Sequence, residues 1–223
     1  MHVLVARHHV EDSAGFIGGA FAAHGASLTV HLFPKEGDLP APEQASQIVV
    51  LGASYSVYDP ELPWIADELA WLRRADEAGV PVLGICFGAQ AMSAAFGGRV
   101  TPAPRKEIGW TKISTDDPEL VPTGPWLEFH GDQCHPPRQA RVLARNEVGV
   151  QAFTLGRHLA VQFHPEVDGA QLRGWLDAGG RADAERAGVD PDALVAETVT
   201  HEPAARERAH RLVAAALRLA RTA

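Results

Sequence analysis

Four short apolar runs, residues 2–6, 28–32, 47–51 and 80–85, alternate with longer amphipathic stretches over the first part of the chain. Runs of this length bounded by Gly, Pro and polar residues read as strands, and the unbroken apolar character of 47–51 suits a strand buried on both faces. Between the first two, Ser13-Ala14-Gly15-Phe16 opens a helix that runs towards His24-Gly25. From 61 to 78, Leu62, Ile65, Leu69 and Leu72 recur at helical spacing with Trp64 and Trp71, and Gly79 supplies a stop. Strands alternating with helices predict a mostly parallel sheet covered by helices on both faces. Ligands of such α/β folds bind beyond the carboxyl ends of the strands.

From Gly109 the pattern changes: residues 110–113, 127–129, 142–144, 150–153 and 159–163 are short apolar runs separated by turns, which predicts antiparallel hairpins. Beyond Asp168 the chain is rich in Ala and Arg, and 204–220 has the period of an amphipathic surface helix. About 180–223 is therefore expected to be a helical C-terminal extension, serving packing or an interface and offering no chemistry. The 16 prolines and 21 glycines are scattered as turn punctuation, with no linker, repeat or low-complexity tract, so 1–223 is expected to form a single domain.

Composition narrows the function. A formal charge of −8 opposes binding to nucleic acid or anionic membrane, both of which need clustered Lys and Arg. Polar Arg7-His8-His9 interrupts the first apolar run too early for a signal peptide, and no run approaches the roughly 20 residues of a membrane span. A soluble, cytoplasmic protein is expected. Two cysteines make no disulfide framework, but a cysteine in an intracellular chain that also carries His and an acid is a candidate nucleophile.

Cys86 has the context for that role. Gly84-Ile85-Cys86-Phe87-Gly88 follows a strand and precedes the helix-forming stretch 89–96, closed by Gly97-Gly98. This is the thiol version of the G-x-S-x-G elbow, where glycines relieve crowding around a strained turn and leave the nucleophile exposed. A helix amino terminus favours thiolate over thiol, and the Phe87 N–H is aimed where an oxyanion would form. The bland alternative is a small buried apolar residue, with glycines that merely let helix and strand pack closely.

A thiol nucleophile needs a proton acceptor that can later protonate the leaving group, and imidazole suits both tasks. Of 11 histidines, His164 ends an apolar strand in Gln162-Phe163-His164-Pro165-Glu166. Pro165 holds its predecessor extended, so residues 164 and 166 project to the same side and the Glu166 carboxylate can orient the ring. By itself His-Pro-Glu at a strand end is usually a polar turn; the pairing with Cys86 carries the weight. His130-Gly131-Asp132-Gln133-Cys134-His135 concentrates ligand-type residues, but its spacing fits no zinc pattern, and neither metal nor cofactor is expected. Cys134 lacks an elbow and reads as an incidental thiol, and the five tryptophans as core or interface anchors. The loop 7–12 lies on the ligand side of the sheet, as a solvated loop or as a contact for an acceptor.

Together these segments resemble the class I (triad) glutamine amidotransferases, specifically free-standing proteins similar to the amidotransferase domain of GMP synthase. The likeness also takes in Leu51 to Asp59, Lys106-Glu107-Ile108-Gly109-Trp110 and Phe129-His130-Gly131-Asp132, in the family's order. It implies a flavodoxin-like α/β fold and hydrolysis of glutamine to glutamate and ammonia, with Cys86 as nucleophile, His164 as acid/base and Glu166 as its orienter. It further implies that Gln90 and the backbone around Gly131, with Gly52, His130 and Asp132, hold the amino-acid end of the substrate. The alternative for Gln90 is a solvated helix residue. Where the family commonly has two glycines and a proline, this chain has Gly52-Ala53-Ser54. Alanine keeps the N–H that would complete the oxyanion hole with Phe87 but resists positive φ, so isolated activity is expected to be low if the hole is set differently.

Three functions are compatible with these residues. The first is a glutaminase delivering ammonia to an acceptor, for which the leftover residues are too few to hold a synthetase module, so a separate partner is expected. The second is a γ-glutamyl hydrolase or peptidase using the same triad on a conjugate. The third is a non-catalytic binding protein of the same fold.

Overall fold

The computed structural model describes residues 1–222. The chain runs through β1 (His2–Arg7), α1 (Gly15–Ala23), β2 (Ser27–Leu32), β3 (Gln47–Val50), α2 (Trp64–Glu77), β4 (Val82–Ile85) and α3 (Phe87–Ala95). There follow β5 (Arg99–Thr111), β6 (Ser114–Thr115), β7 (Trp126–His135), β8 (Arg141–Arg145), β9 (Val150–Leu155) and β10 (His158–Val161). Three helices close it: α4 (Gly169–Trp175), α5 (Arg181–Arg186) and α6 (Pro191–Thr222).

All strands share one sheet, ordered β2-β1-β3-β4-β10-β9-β7-β5, with β8 and β6 branching from β9. The first five are parallel; β9, β7 and β5 add antiparallel pairs. Every residue of β3, β4 and β10 is buried, because helices cover both faces there, and this is the reason for their unbroken apolar runs. On β1 the two-residue period divides the core: Val3 and Val5 pack with α1 and α6, while Leu4 and Ala6 pack with residues of α2 and α3. The α/β class, the helices on both faces and the hairpin region are as the sequence predicts.

Two details differ. β5 begins at Arg99, well before the change of pattern at Gly109; its first half is polar, carries Pro102 and Pro104, and slips register between Pro102 and Glu107. An edge position tolerates those prolines, and only pairing with β7 makes the segment a strand. β10 belongs to the central sheet, parallel to β4 on one side and antiparallel to β9 on the other, so it joins the two halves. The last helix packs as its amphipathic period predicts: Ala205, Ala209, Leu212, Val213 and Ala216 are buried in the core shared with α1. No helix among the described residues is long and apolar enough to cross a membrane.

Candidate active site

β4 ends at Ile85 and α3 begins at Phe87, so Cys86 alone turns the chain, with φ 51° and ψ −106°. It is the sole non-glycine at positive φ among the described residues. Such a backbone costs on the order of 1–3 kcal/mol and persists only where the surroundings over-determine it. Here the Cys86 N–H donates to the Val161 carbonyl at 2.9 Å and its carbonyl accepts from the Gln90 N–H at 3.0 Å, tying the turn to β10 and to α3. The flanking glycines are required by space: a Cβ on Gly84 would lie 2.5 Å from Met92 Sδ, and one on Gly88 would overlap the Val50 carbonyl oxygen. Close packing therefore explains the glycines, and the strained turn explains why the cysteine side chain faces the cavity.

His164 follows β10 and donates its backbone N–H to Leu127 at 2.8 Å, a bridge that fixes it against β7. Its Nδ1 lies 2.8 Å from Glu166 Oε1, and both side chains are buried. With Nδ1 engaged, Nε2 is buried and has no hydrogen-bond partner among the described residues. Burial lowers the imidazole's pKa, but the charges of Glu166 and then Cys86 outweigh it and hold the ring well above its ordinary value. The chain brings Cys86 and His164 to one place at Gly52, where a Cβ would be 3.0 Å from His164 Cε1 and 3.6 Å from Cys86 Cβ. Gly52 is the space these two side chains share.

Ala53 follows at the end of β3 and does not occupy the positive-φ region, so alanine is unstrained there. Neither the Ala53 nor the Phe87 N–H donates a hydrogen bond to any described residue. Ala53 lines the same cavity as Cys86, and Phe87 follows Cys86 in the chain.

The cavity above Cys86 has a volume of about 570 Å³. Gln90, one turn along α3, lines it and is buried, with Nε2 3.4 Å from Gln162 Oε1, so the solvated alternative fails for this residue. Opposite stand His130, Gly131 and Asp132 of β7. Ser56 Oγ donates to Asp132 Oδ2 at 2.6 Å and Tyr58 OH to Oδ1 at 2.8 Å, which fixes that carboxylate at the wall. His130 Nε2 sits 3.2 Å from a carboxylate oxygen of Glu107 and 3.2 Å from one of Glu128. Burial opposes charge on this ring, yet the two carboxylates prevail and raise its pKa to about 10, while burial raises Glu128 itself. Two-residue alternation on β7 and the β5 register place this trio together; Cys134, further along, is buried against Gln162 with its thiol pKa pushed up by burial.

Several wall residues gave no sequence signal. Trp175 packs edge-on against His164 with ring centroids 4.8 Å apart and donates Nε1–H to Asp12 at 2.9 Å, so it is part of the site and more than a core anchor. Residues Ala178, Gly179, Gly180 and Asp183 close one side, and Lys106 Nζ bonds Asp183 at 2.6 Å. The C-terminal segment expected to carry no chemistry thus builds part of the cavity. From the first loop, residues 9–12 line the cavity while His8 turns inward. Buried ligand-side histidines are invisible to periodicity; only the position of the loop hinted at them.

The glutamine amidotransferase class-I family model matches residues 19–174. A GMP synthase (glutamine-hydrolyzing) of Thermomicrobium roseum is 34% identical over 151 residues, covering 64% of this chain and 28% of that protein. One of Aeropyrum pernix is 36% identical over 152 residues, covering 59% and 30%. The chain thus spans less than a third of the length of these relatives. Among solved structures, a glutamine amidotransferase from Thermotoga maritima superposes with a TM-score of 0.87 at 25% identity, covering 100% of this chain and 99% of that one. A glutamine amidotransferase from Methylobacillus flagellatus shares the fold with a TM-score of 0.87 at 24% identity, covering 97% and 94%.

Proposed function

Because the chain belongs to the class I glutamine amidotransferase family, we propose that it cleaves a γ-glutamyl amide through Cys86, His164 and Glu166, with glutamine as the first substrate to test. One observation carries this reading: Cys86 and His164 flank Gly52, with the far nitrogen of the imidazole held by Glu166 at 2.8 Å. With the thiol proton already on His164 Nε2, sulfur attacks the side-chain carbonyl carbon, and the carbonyl oxygen becomes an oxyanion facing the Ala53 and Phe87 N–H groups. Collapse expels ammonia, protonated by His164, and leaves a γ-glutamyl thioester. Water, deprotonated by the same imidazole, then attacks the thioester and releases glutamate and the thiol. Glu166 keeps the proton on Nδ1 and steadies the imidazolium.

Gly52, Gln90, His130, Gly131 and Asp132 are assigned to the amino-acid end of the substrate. The immobilised Asp132 carboxylate suits an α-ammonium group, and backbone and amide groups nearby suit the α-carboxylate. Transfer of ammonia to an acceptor is assigned to a synthetase module outside residues 1–223. A second reading, hydrolysis of a γ-glutamyl conjugate, is favoured by the cavity: at about 570 Å³, with Ile108, Phe129 and Trp175 on its wall, it has room and apolar surface beyond a glutamine.

Purified protein incubated with glutamine should release ammonia, and a diazo-ketone glutamine analogue should leave an adduct on Cys86 detectable by mass spectrometry. If glutamine is inert and a γ-glutamyl conjugate is turned over, the second reading replaces the first. If neither is cleaved and Cys86 resists the analogue, the protein is a non-catalytic member of its family.

A further inference from the structure

His8 lies under the floor of the cavity, takes no part in the steps above, and is 2% exposed. Its Nδ1 is 3.1 Å from the Gly52 carbonyl oxygen, and its Nε2 is 3.1 and 3.2 Å from the two oxygens of Glu68 on α2. The side chains of His8 and Glu68 are both fully buried. The Gly52 carbonyl can only accept, so Nδ1 donates to it, while Nε2 faces the Glu68 carboxylate. Burial lowers the ring's pKa, but the pairing with Glu68 outweighs it and holds the ring above its ordinary value. The same ring stacks on Trp64 at 5.6 Å and meets the Phe87 ring edge-on at 4.9 Å.

The peptide between Gly52 and Ala53 is trans, so its C=O and N–H point in opposite directions. Anchoring the carbonyl to His8 turns the Ala53 N–H away from His8, and Ala53 lines the same cavity as Cys86 and His164. We propose that His8, clamped by Glu68, is the positioning residue for the oxyanion hole, orienting the Ala53 N–H through the Gly52 carbonyl and bracing Phe87 through its ring. This rests on the assignment of Cys86 as acylating nucleophile. It also answers how the hole is set where the chain has alanine: the orientation comes from an ion pair beneath the loop instead of from a glycine's freedom to adopt positive φ.

Two substitutions separate the ring nitrogens. In His8→Asn the amide nitrogen takes the place of Nδ1, keeping the bond to Gly52 and abandoning Glu68. In His8→Gln it takes the place of Nε2, keeping Glu68 satisfied and abandoning Gly52. A merely structural role makes His8→Asn the worse variant, because it strands a buried carboxylate. Oxyanion positioning makes His8→Gln the worse enzyme: its kcat on the γ-glutamyl amide turned over by wild type should fall about 100-fold with KM little changed, and His8→Asn should recover most of that loss. Alkylation of Cys86 by iodoacetamide, which builds no oxyanion, should proceed at the wild-type rate in both. The proposal is overturned if His8→Gln keeps wild-type kcat, or if its alkylation slows in step with turnover. If wild type cleaves no γ-glutamyl amide, the functional reading fails separately. Crystal structures of wild type and His8→Gln then decide the positioning: a rotated Gly52–Ala53 peptide in the variant supports it, and an unchanged one refutes it.

Discussion

Gly52→Ala is the smallest perturbation aimed at the point where Cys86 and His164 meet. The added methyl carbon would sit 3.0 Å from His164 Cε1 and 3.6 Å from Cys86 Cβ. Carbon atoms at rest lie about 3.5–4.0 Å apart, so the ring must yield by roughly 0.5–1 Å. It has little freedom to do so: its backbone N–H is bonded to Leu127 at 2.8 Å, its Nδ1 to Glu166 at 2.8 Å, and Trp175 packs against it at 4.8 Å. Yielding therefore means swinging Nε2 away from the sulfur or lengthening the bond to Glu166. A misplacement of about 1 Å can cost on the order of 100-fold in rate, so kcat should fall roughly 10- to 100-fold. Residue 52 is outside the positive-φ region, so no backbone strain is added, and overpacking should remove about 1–3 kcal/mol of stability. Ammonia release under saturating substrate measures the first effect and urea denaturation the second. A folded Gly52→Ala protein with kcat within twofold of wild type would refute the shared-space argument, since the methyl would then fit without disturbing the pair.

Gly88→Ala should act on stability: its Cβ would overlap the Val50 backbone carbonyl oxygen, which cannot rotate away, so α3 must lift from the sheet. A loss of about 3 kcal/mol or more is expected by chemical denaturation, and an unchanged midpoint would mean that helix and sheet are not so close. The His130 cluster predicts a pH dependence. Its imidazole has a pKa of about 10 in the fold against roughly 6.5 in the unfolded chain, so its contribution is complete below about pH 6.5 and disappears as pH rises to 10. Urea denaturation between pH 7 and 10 should show falling stability, less steeply in His130→Gln; a flat profile for wild type would remove the buried ion pair from the account.

The extent to which the site was legible differs by residue for physical reasons. The elbow at Cys86 and the extended His164-Pro165-Glu166 segment are local: glycine, proline and strand-end patterns act over a few residues and leave their mark on the sequence. Gln90 could be placed near Cys86 because one helical turn separates them, but its burial depended on Gln162, far along the chain. Trp175, Asp183 and the His8–Glu68 pair left no such mark. A tryptophan on a helix and a histidine in a loop look the same whether they face solvent, core or cavity.

From order and spacing alone the chain determined its alternating strands and helices, the parallel half of its sheet, and the turn at Cys86 and the extended segment at His164, because periodicity and turn chemistry are short-range properties. Tertiary structure decided the rest: that β10 lies between β4 and β9, that prolines in β5 sit on an edge, and that the C-terminal helices wall the cavity. Those outcomes depend on which distant surfaces bury one another. Burial energy is summed over the whole molecule, so no single stretch of sequence records it.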